Sequence, residues 1–131
     1  LSEDLVGKKV AILGAAFKPD SDDVRDSPAL DIAAQIQAAG AVVTVHDPKA
    51  IANAQKRFPA LKFAEEINNT LKDAEIVLHL TEWKIYREIN PAQVKSLVKT
   101  AIMIDGRNAL DRDAWRAAGW KFRALGRTDN E

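Results

Sequence analysis

Lys9-Val10-Ala11-Ile12-Leu13-Gly14 and Ser27-Pro28-Ala29-Leu30-Asp31 decide the fold of this chain. The first is a short apolar run that ends at a glycine, which reads as a buried strand. The second opens a helix. Ser27 is an N-cap candidate, Pro28 suits the first helical position, and Asp31 in the first turn complements the helix dipole. Ala29, Ile32, Ala33 and Ile36 recur at helical spacing, and Gly40 closes the pattern. Ala41-Val42-Val43-Thr44-Val45-His46 follows at once as a second strand, closed by Asp47-Pro48. Strand, helix and strand with a short return make a βαβ unit, whose crossover is right-handed almost without exception.

Outward from this unit the alternation continues. Ile51 to Phe58 reads as a short helix stopped before Pro59, and Leu61-Lys62-Phe63 as a short edge strand. Glu65 to Leu71 reads as helical. Glu75-Ile76-Val77-Leu78-His79-Leu80 is the next strand, ending at Thr81-Glu82-Trp83. Pro91 opens a helix expected to run through Val98. Ala101-Ile102-Met103-Ile104-Asp105 is a further strand, ending at Gly106-Arg107-Asn108. A helix from Asp111 to Ala118 stops at Gly119, and Lys121-Phe122-Arg123-Ala124 is a last short strand. Strands alternating with helices imply a parallel sheet covered on both faces. The expectation is one α/β domain over 1–131, a three-layer, Rossmann-like, doubly wound and mostly parallel sheet of five to six strands, with frayed ends at 1–7 and 127–131.

Composition excludes several chemistries. The chain has no cysteine, hence no thiol nucleophile, disulfide framework or thiolate metal site. Lys plus Arg and Asp plus Glu are 19 each, so bulk charge gives no footprint of a nucleic-acid binder. No apolar run approaches the ~20 residues of a membrane span. The start, Leu1-Ser2-Glu3-Asp4-Leu5, is acidic and short and has no signal-peptide pattern, which places the expected protein in the cytoplasm. Leu1 is not a methionine, as expected for a piece of a longer chain.

Polar residues gather at three strand ends: Gly14 to Lys18, Thr81 to Trp83, and Asp105 to Asn108. In a parallel sheet these ends share one edge, where ligands bind at the point of reversed strand order. The loop after Gly14 is not a glycine-rich dinucleotide turn. It offers Lys18, a point charge suited to phosphate, Arg25, a forked donor, and Phe17, an aromatic that packs against a base or into the core. Asp20, Asp22, Asp23 and Asp26 make the same loop net negative. Arg107 after a glycine turn reaches a phosphate or carboxylate bidentately, or pairs with Asp105 or Asp111 on the surface. Asp47 lies 33 residues after Gly14, where about 20 is usual for a ribose-gripping acid, so it reads as a turn or helix start. His46 and His79 lack a second ligand at metal spacing and read as structural. No catalytic residue and no metal site stands out. Trp83, Trp115 and Trp120 read as core or interface packing.

Gly14-Ala15-Ala16-Phe17-Lys18-Pro19 with Asp22-Asp23-Val24-Arg25-Asp26-Ser27-Pro28-Ala29-Leu30 resembles the opening of the C-terminal, UDP-binding domain in the UDP-glucose/GDP-mannose dehydrogenase family. His46-Asp47-Pro48, Thr81-Glu82-Trp83 and Ile104-Asp105-Gly106-Arg107-Asn108 are similar to it in the same order, from Gly7 to Gly126. The resemblance implies an NAD-dependent enzyme that oxidises UDP-glucose to UDP-glucuronate through a cysteine thioester. Most of the NAD is held by an N-terminal domain, and the whole enzyme is a homodimer or larger. It implies that Phe17, Lys18 and Arg107 contact the UDP-sugar and that Arg25 lies on the NAD side. This chain has neither the family's cysteine nor its glycine-rich turn, so alone it is expected to be inactive. A freestanding Rossmann-like nucleotide-binding or regulatory module is the alternative, and an assembly domain built on exposed tryptophans a third reading.

Overall fold

Lys9–Leu13 forms β1, and every residue after Lys9 in it is buried. A strand buried on both faces belongs in the middle of a sheet, and β1 lies there. The structure, a computed structural model, describes residues 6–15, 27–81, 83–106 and 110–124. The remaining elements are α1 (Pro28–Ala38), β2 (Val42–His46), α2 (Ile51–Arg57), β3 (Lys62–Phe63), α3 (Ile67–Leu71), β4 (Ile76–His79), α4 (Lys84–Arg87), α5 (Pro91–Val94), β5 (Ile102–Asp105), α6 (Arg112–Ala117) and β6 (Lys121–Ala124). The sheet order is β3-β2-β1-β4-β5-β6, and every pair in it is parallel. The sheet is thus wholly parallel rather than mostly so. This is the doubly wound order, and the direction of winding reverses between β1 and β4. The expected frayed ends, 1–7 and 127–131, fall largely outside the described residues.

Local signals account for most helix ends. Ser27 caps α1 by accepting the Leu30 N–H at 3.3 Å, and Asp111 caps α6 through the Ala114 N–H at 3.2 Å. Packing accounts for three departures. In α1, Ala29 and Ala33 are buried and Ile36 packs against the core as the spacing predicts, but Ile32 is 36% exposed while Leu30, outside the expected stripe, is fully buried. The helix begun at Pro91 stops at Val94, well short of Val98. Backbone bonds to a neighbouring segment replace its next helical bonds: Leu97 O accepts the Asp73 N–H at 2.7 Å and Lys99 N–H donates to Ala74 O at 2.8 Å. These bonds turn the chain into β5. The third departure is α4, a short helix that follows Trp83 and carries the buried Tyr86.

Ile12, Leu13, Leu30, Leu71, Tyr86 and Met103 are among the fully buried side chains. The three tryptophans are at most 5% exposed, which removes the reading of an assembly surface built on them. Trp115 packs edge-on to Trp120 with ring centroids 4.9 Å apart, and the Trp120 indole donates to Pro91 O at 2.9 Å. No helix among the described residues is long and apolar enough to cross a membrane.

Candidate functional site

The strand ends line up in register. His46 of β2 pairs with Leu13 of β1, Leu13 with His79 of β4, and His79 with Asp105 of β5. Residues in register on parallel strands share a face. One row of side chains therefore crosses the carboxyl edge of the sheet through the point where winding reverses.

Gly14 stands at that point. Its N–H makes the last ladder bond of β1, to His46 O at 2.7 Å, and Leu80 N–H donates to Leu13 O at 3.0 Å. Its φ is +112°, and a Cβ there would sit 2.5 Å from the Thr81 Cβ and 2.6 Å from the Thr81 backbone nitrogen. Only a glycine lets the ends of β1 and β4 close together this far.

One residue past the row, Asp47 is 2% exposed. Its Oδ2 accepts the Ala15 N–H at 2.8 Å and the Trp83 indole N–H at 3.2 Å. Its Oδ1 accepts the N–H groups of Lys49 at 2.9 Å and Ala50 at 2.8 Å. Asp47 is thus the turn residue expected before α2, and it also joins the ends of β1, β2 and β4. Ala15 is held a second time, because the Ser27 hydroxyl donates to Ala15 O at 2.7 Å.

His79 and Asp105 form a second buried pair. Nδ1 of His79 donates to Asp105 Oδ1 at 2.8 Å, both side chains being fully buried. Oδ2 of Asp105 accepts the Leu110 N–H at 2.8 Å, and Gly106 N–H donates to His79 O at 2.9 Å. Nε2 of His79 is buried with no hydrogen-bond partner among the described residues. Tyr86 closes over the row from α4, edge-on to His46 at 5.5 Å and to His79 at 5.7 Å. Its hydroxyl lies 2.7 Å from His46 Nδ1 and 3.0 Å from His46 O. Burial is the largest influence on His46 and holds its pKa below the usual histidine value, against Asp47 and a hydrogen bond to the Glu65 backbone. Burial likewise pushes the Tyr86 phenol far up, so it stays protonated.

Phe17, Lys18, Arg25 and Arg107 lie outside the described residues, as do Asp20, Asp22, Asp23, Asp26, Glu82 and Asn108. The structure places their flanks. Ala15 and Ser27, on either side of 16–26, are one hydrogen bond apart, and Gly106 and Leu110 bracket 107–109 on the same edge. Ala15 follows β1 and Gly106 follows β5, two strands over. That is about 10 Å at the usual strand spacing. His46 and His79, expected to be structural, are both buried and hydrogen-bonded within the sheet edge. Asp47 and Tyr86 carry more of the edge than the sequence suggested. Asp47 followed by Pro48 signals the turn, but nothing local signals its bonds to Ala15 and Trp83. A cleft of about 310 Å³, lined by Asp47, Pro48, Lys49, Ile51, Ala52 and Glu65, opens on the β2 side of the edge.

No group of three or more potential metal ligands occurs among the described residues. A dinucleotide held in the usual way does not fit. The acid after the second strand is buried and already accepts four hydrogen bonds, and the crevice at Gly14 is filled by Thr81.

The family model described as "UDP-glucose/GDP-mannose dehydrogenase family, UDP binding domain" matches residues 11–112. The UDP-glucose 6-dehydrogenase of Rhizobium meliloti (strain 1021) is 36% identical over 126 residues, covering 96% of this chain and 29% of that protein. UDP-glucose 6-dehydrogenase TuaD of Bacillus subtilis (strain 168) is 36% identical over 122 residues, covering 92% of this chain and 26% of that protein. Among solved structures, an NDP-N-acetyl-D-galactosaminuronic acid dehydrogenase from Methanosarcina mazei Go1 superposes with a TM-score of 0.82 at 30% identity, over 94% of this chain and 25% of that one. A UDP-glucose dehydrogenase from Pyrobaculum islandicum superposes with a TM-score of 0.72 at 29% identity, over 88% of this chain and 26% of that one. The chain thus spans less than a third of the length of these relatives.

Proposed function

This chain belongs to the UDP-glucose/GDP-mannose dehydrogenase family as its UDP-binding domain, and we propose that it holds the UDP part of UDP-glucose for an NAD-dependent oxidation to UDP-glucuronate. In this reading Lys18 meets the diphosphate, Phe17 packs on the nucleotide, Arg107 reaches the nucleotide sugar, and Arg25 faces the NAD side of the cleft. The observation that supports it is the placement of the flanks: Ala15, ahead of Lys18 in sequence, and Gly106, ahead of Arg107, follow strands β1 and β5, whose ends lie on the one carboxyl edge of the parallel sheet, and the winding reverses on that edge between β1 and β4. NAD would supply the hydride acceptor for that oxidation. The described residues do not fit it, so the reading puts its main site outside these 131 residues. The reading also includes a cytoplasmic reaction and a whole enzyme that assembles as a homodimer or larger.

Calorimetric titration with UDP, GDP and NAD tests it. UDP is expected to bind tightest. Lys18→Ala and Arg107→Ala each remove a hydrogen bond to a charged group worth about 1.5–3 kcal/mol, or roughly ten- to a hundredfold in affinity. Equal affinity for the three nucleotides, or no loss in either variant, refutes the assignment.

A further inference from the structure

We propose that Asp47 and Ser27 are positioning residues for UDP binding, acting through the backbone of Ala15 without touching the ligand. The proposal rests on the functional reading above and adds to it the device that aims the segment after β1. The sheet's own ladder ends at Gly14, whose N–H bonds His46 O. Ala15 comes next, and its two backbone polar groups are taken by side chains from different elements. Its N–H goes to Asp47 after β2, and its C=O receives the Ser27 hydroxyl at the start of α1. All three residues are at most 3% exposed. The clamp therefore fixes both the point where the chain leaves β1 and the point where it enters α1.

The chemistry of Asp47 explains why a carboxylate stands there. Four N–H groups among the described residues converge on it, two on each oxygen. A carboxylate has about four acceptor sites and no donor, whereas an amide has one acceptor oxygen and an NH₂ group. Asp47→Asn keeps the shape but turns an NH₂ toward two N–H donors, whichever way it lies. Its buried place, with those acceptors filled, leaves Asp47 no surface for gripping a ribose. Its effect on the ligand passes through Ala15 and Trp83.

The test is UDP titration of the full chain, carried out well below each variant's melting midpoint, for Asp47→Asn, Ser27→Ala, Ser27→Thr, Lys18→Ala and the Asp47→Asn/Lys18→Ala double variant. Asp47→Asn and Ser27→Ala are each expected to weaken UDP binding tenfold or more while folded, and Ser27→Thr to restore most of the loss. Lys18→Ala is expected to cost less than threefold on top of Asp47→Asn, because a lysine no longer aimed has less to lose; contacts that act as a unit are not additive. A role in stability alone predicts lower melting midpoints with unchanged UDP affinity and additive losses, and that result overturns the proposal. If Asp47→Asn does not fold, Ser27→Ala and its threonine rescue are judged by the same criterion. No UDP binding by the unsubstituted chain overturns the functional reading and the clamp with it, whereas binding that survives both clamp variants overturns the clamp alone.

Discussion

Gly14→Ala separates two costs that the structure assigns to one position. The first is backbone conformation. A side chain at φ +112° sits in a region that L residues rarely adopt, at a cost of about 1–3 kcal/mol. The second is contact. The new methyl would lie 2.6 Å from the Thr81 backbone nitrogen, an atom that cannot swing away as a side chain does, and overpacking of this kind costs about 1–3 kcal/mol. Less freedom in the unfolded chain returns about 0.4–1 kcal/mol. The net loss is about 1–5.5 kcal/mol, or roughly 4–20 °C in melting midpoint for a domain of this size. Gly7→Ala is the control, because Gly7 has φ +76° and a methyl added there would meet nothing within 4 Å. It should cost about 1–2 kcal/mol from conformation alone. Urea denaturation followed by circular dichroism and tryptophan fluorescence measures both, with slopes compared to confirm the same unfolding transition. Equal losses at the two glycines, or a Gly14→Ala midpoint unchanged within about 0.5 kcal/mol, would refute the argument that close approach of β1 and β4 makes Gly14 obligatory.

Two further outcomes follow from burial. Leu30→Ala should destabilise by about 2–5 kcal/mol and Ile32→Ala by less than about 1 kcal/mol, although both positions are apolar, because Leu30 is fully buried and Ile32 is 36% exposed; chemical denaturation reads the difference. His46 has a native pKa below its ordinary 6.5, so the unfolded chain takes up the proton first. Its contribution to stability is therefore full above about pH 6.5 and is lost as the pH falls through the lower native value. Denaturation midpoints should drop over that interval, and His46→Gln should flatten this part of the profile.

Much of the fold is legible in the sequence because its signals are local. Ser27-Pro28 starts a helix wherever it meets an amphipathic run, and Asp111 caps the last helix from within its own turn. The helix from Pro91 is shorter than its sequence predicts because its end is made by Asp73 and Ala74, residues of another segment. The stripe of α1 departs from the expected one at Ile32 because spacing marks apolar positions, whereas the angle at which the helix meets the sheet decides which of them is covered. For the site, the strand ends name the edge. Phe17, Lys18, Arg25 and Arg107 come from residue chemistry and resemblance, and the structure describes the residues that bracket them.

By itself the sequence determined a βα alternation, its caps and turns, and three polar strand ends on one edge, because each depends on residues a few positions apart. Tertiary structure alone decided the order β3-β2-β1-β4-β5-β6, the His46–Leu13–His79–Asp105 row, and the gathering of Ala15 and Trp83 onto Asp47. Those donors stand 32 and 36 residues from the carboxylate that holds them. Only the stacking of strands between brings them within hydrogen-bond reach, and burial there makes leaving any of them unpaired costly.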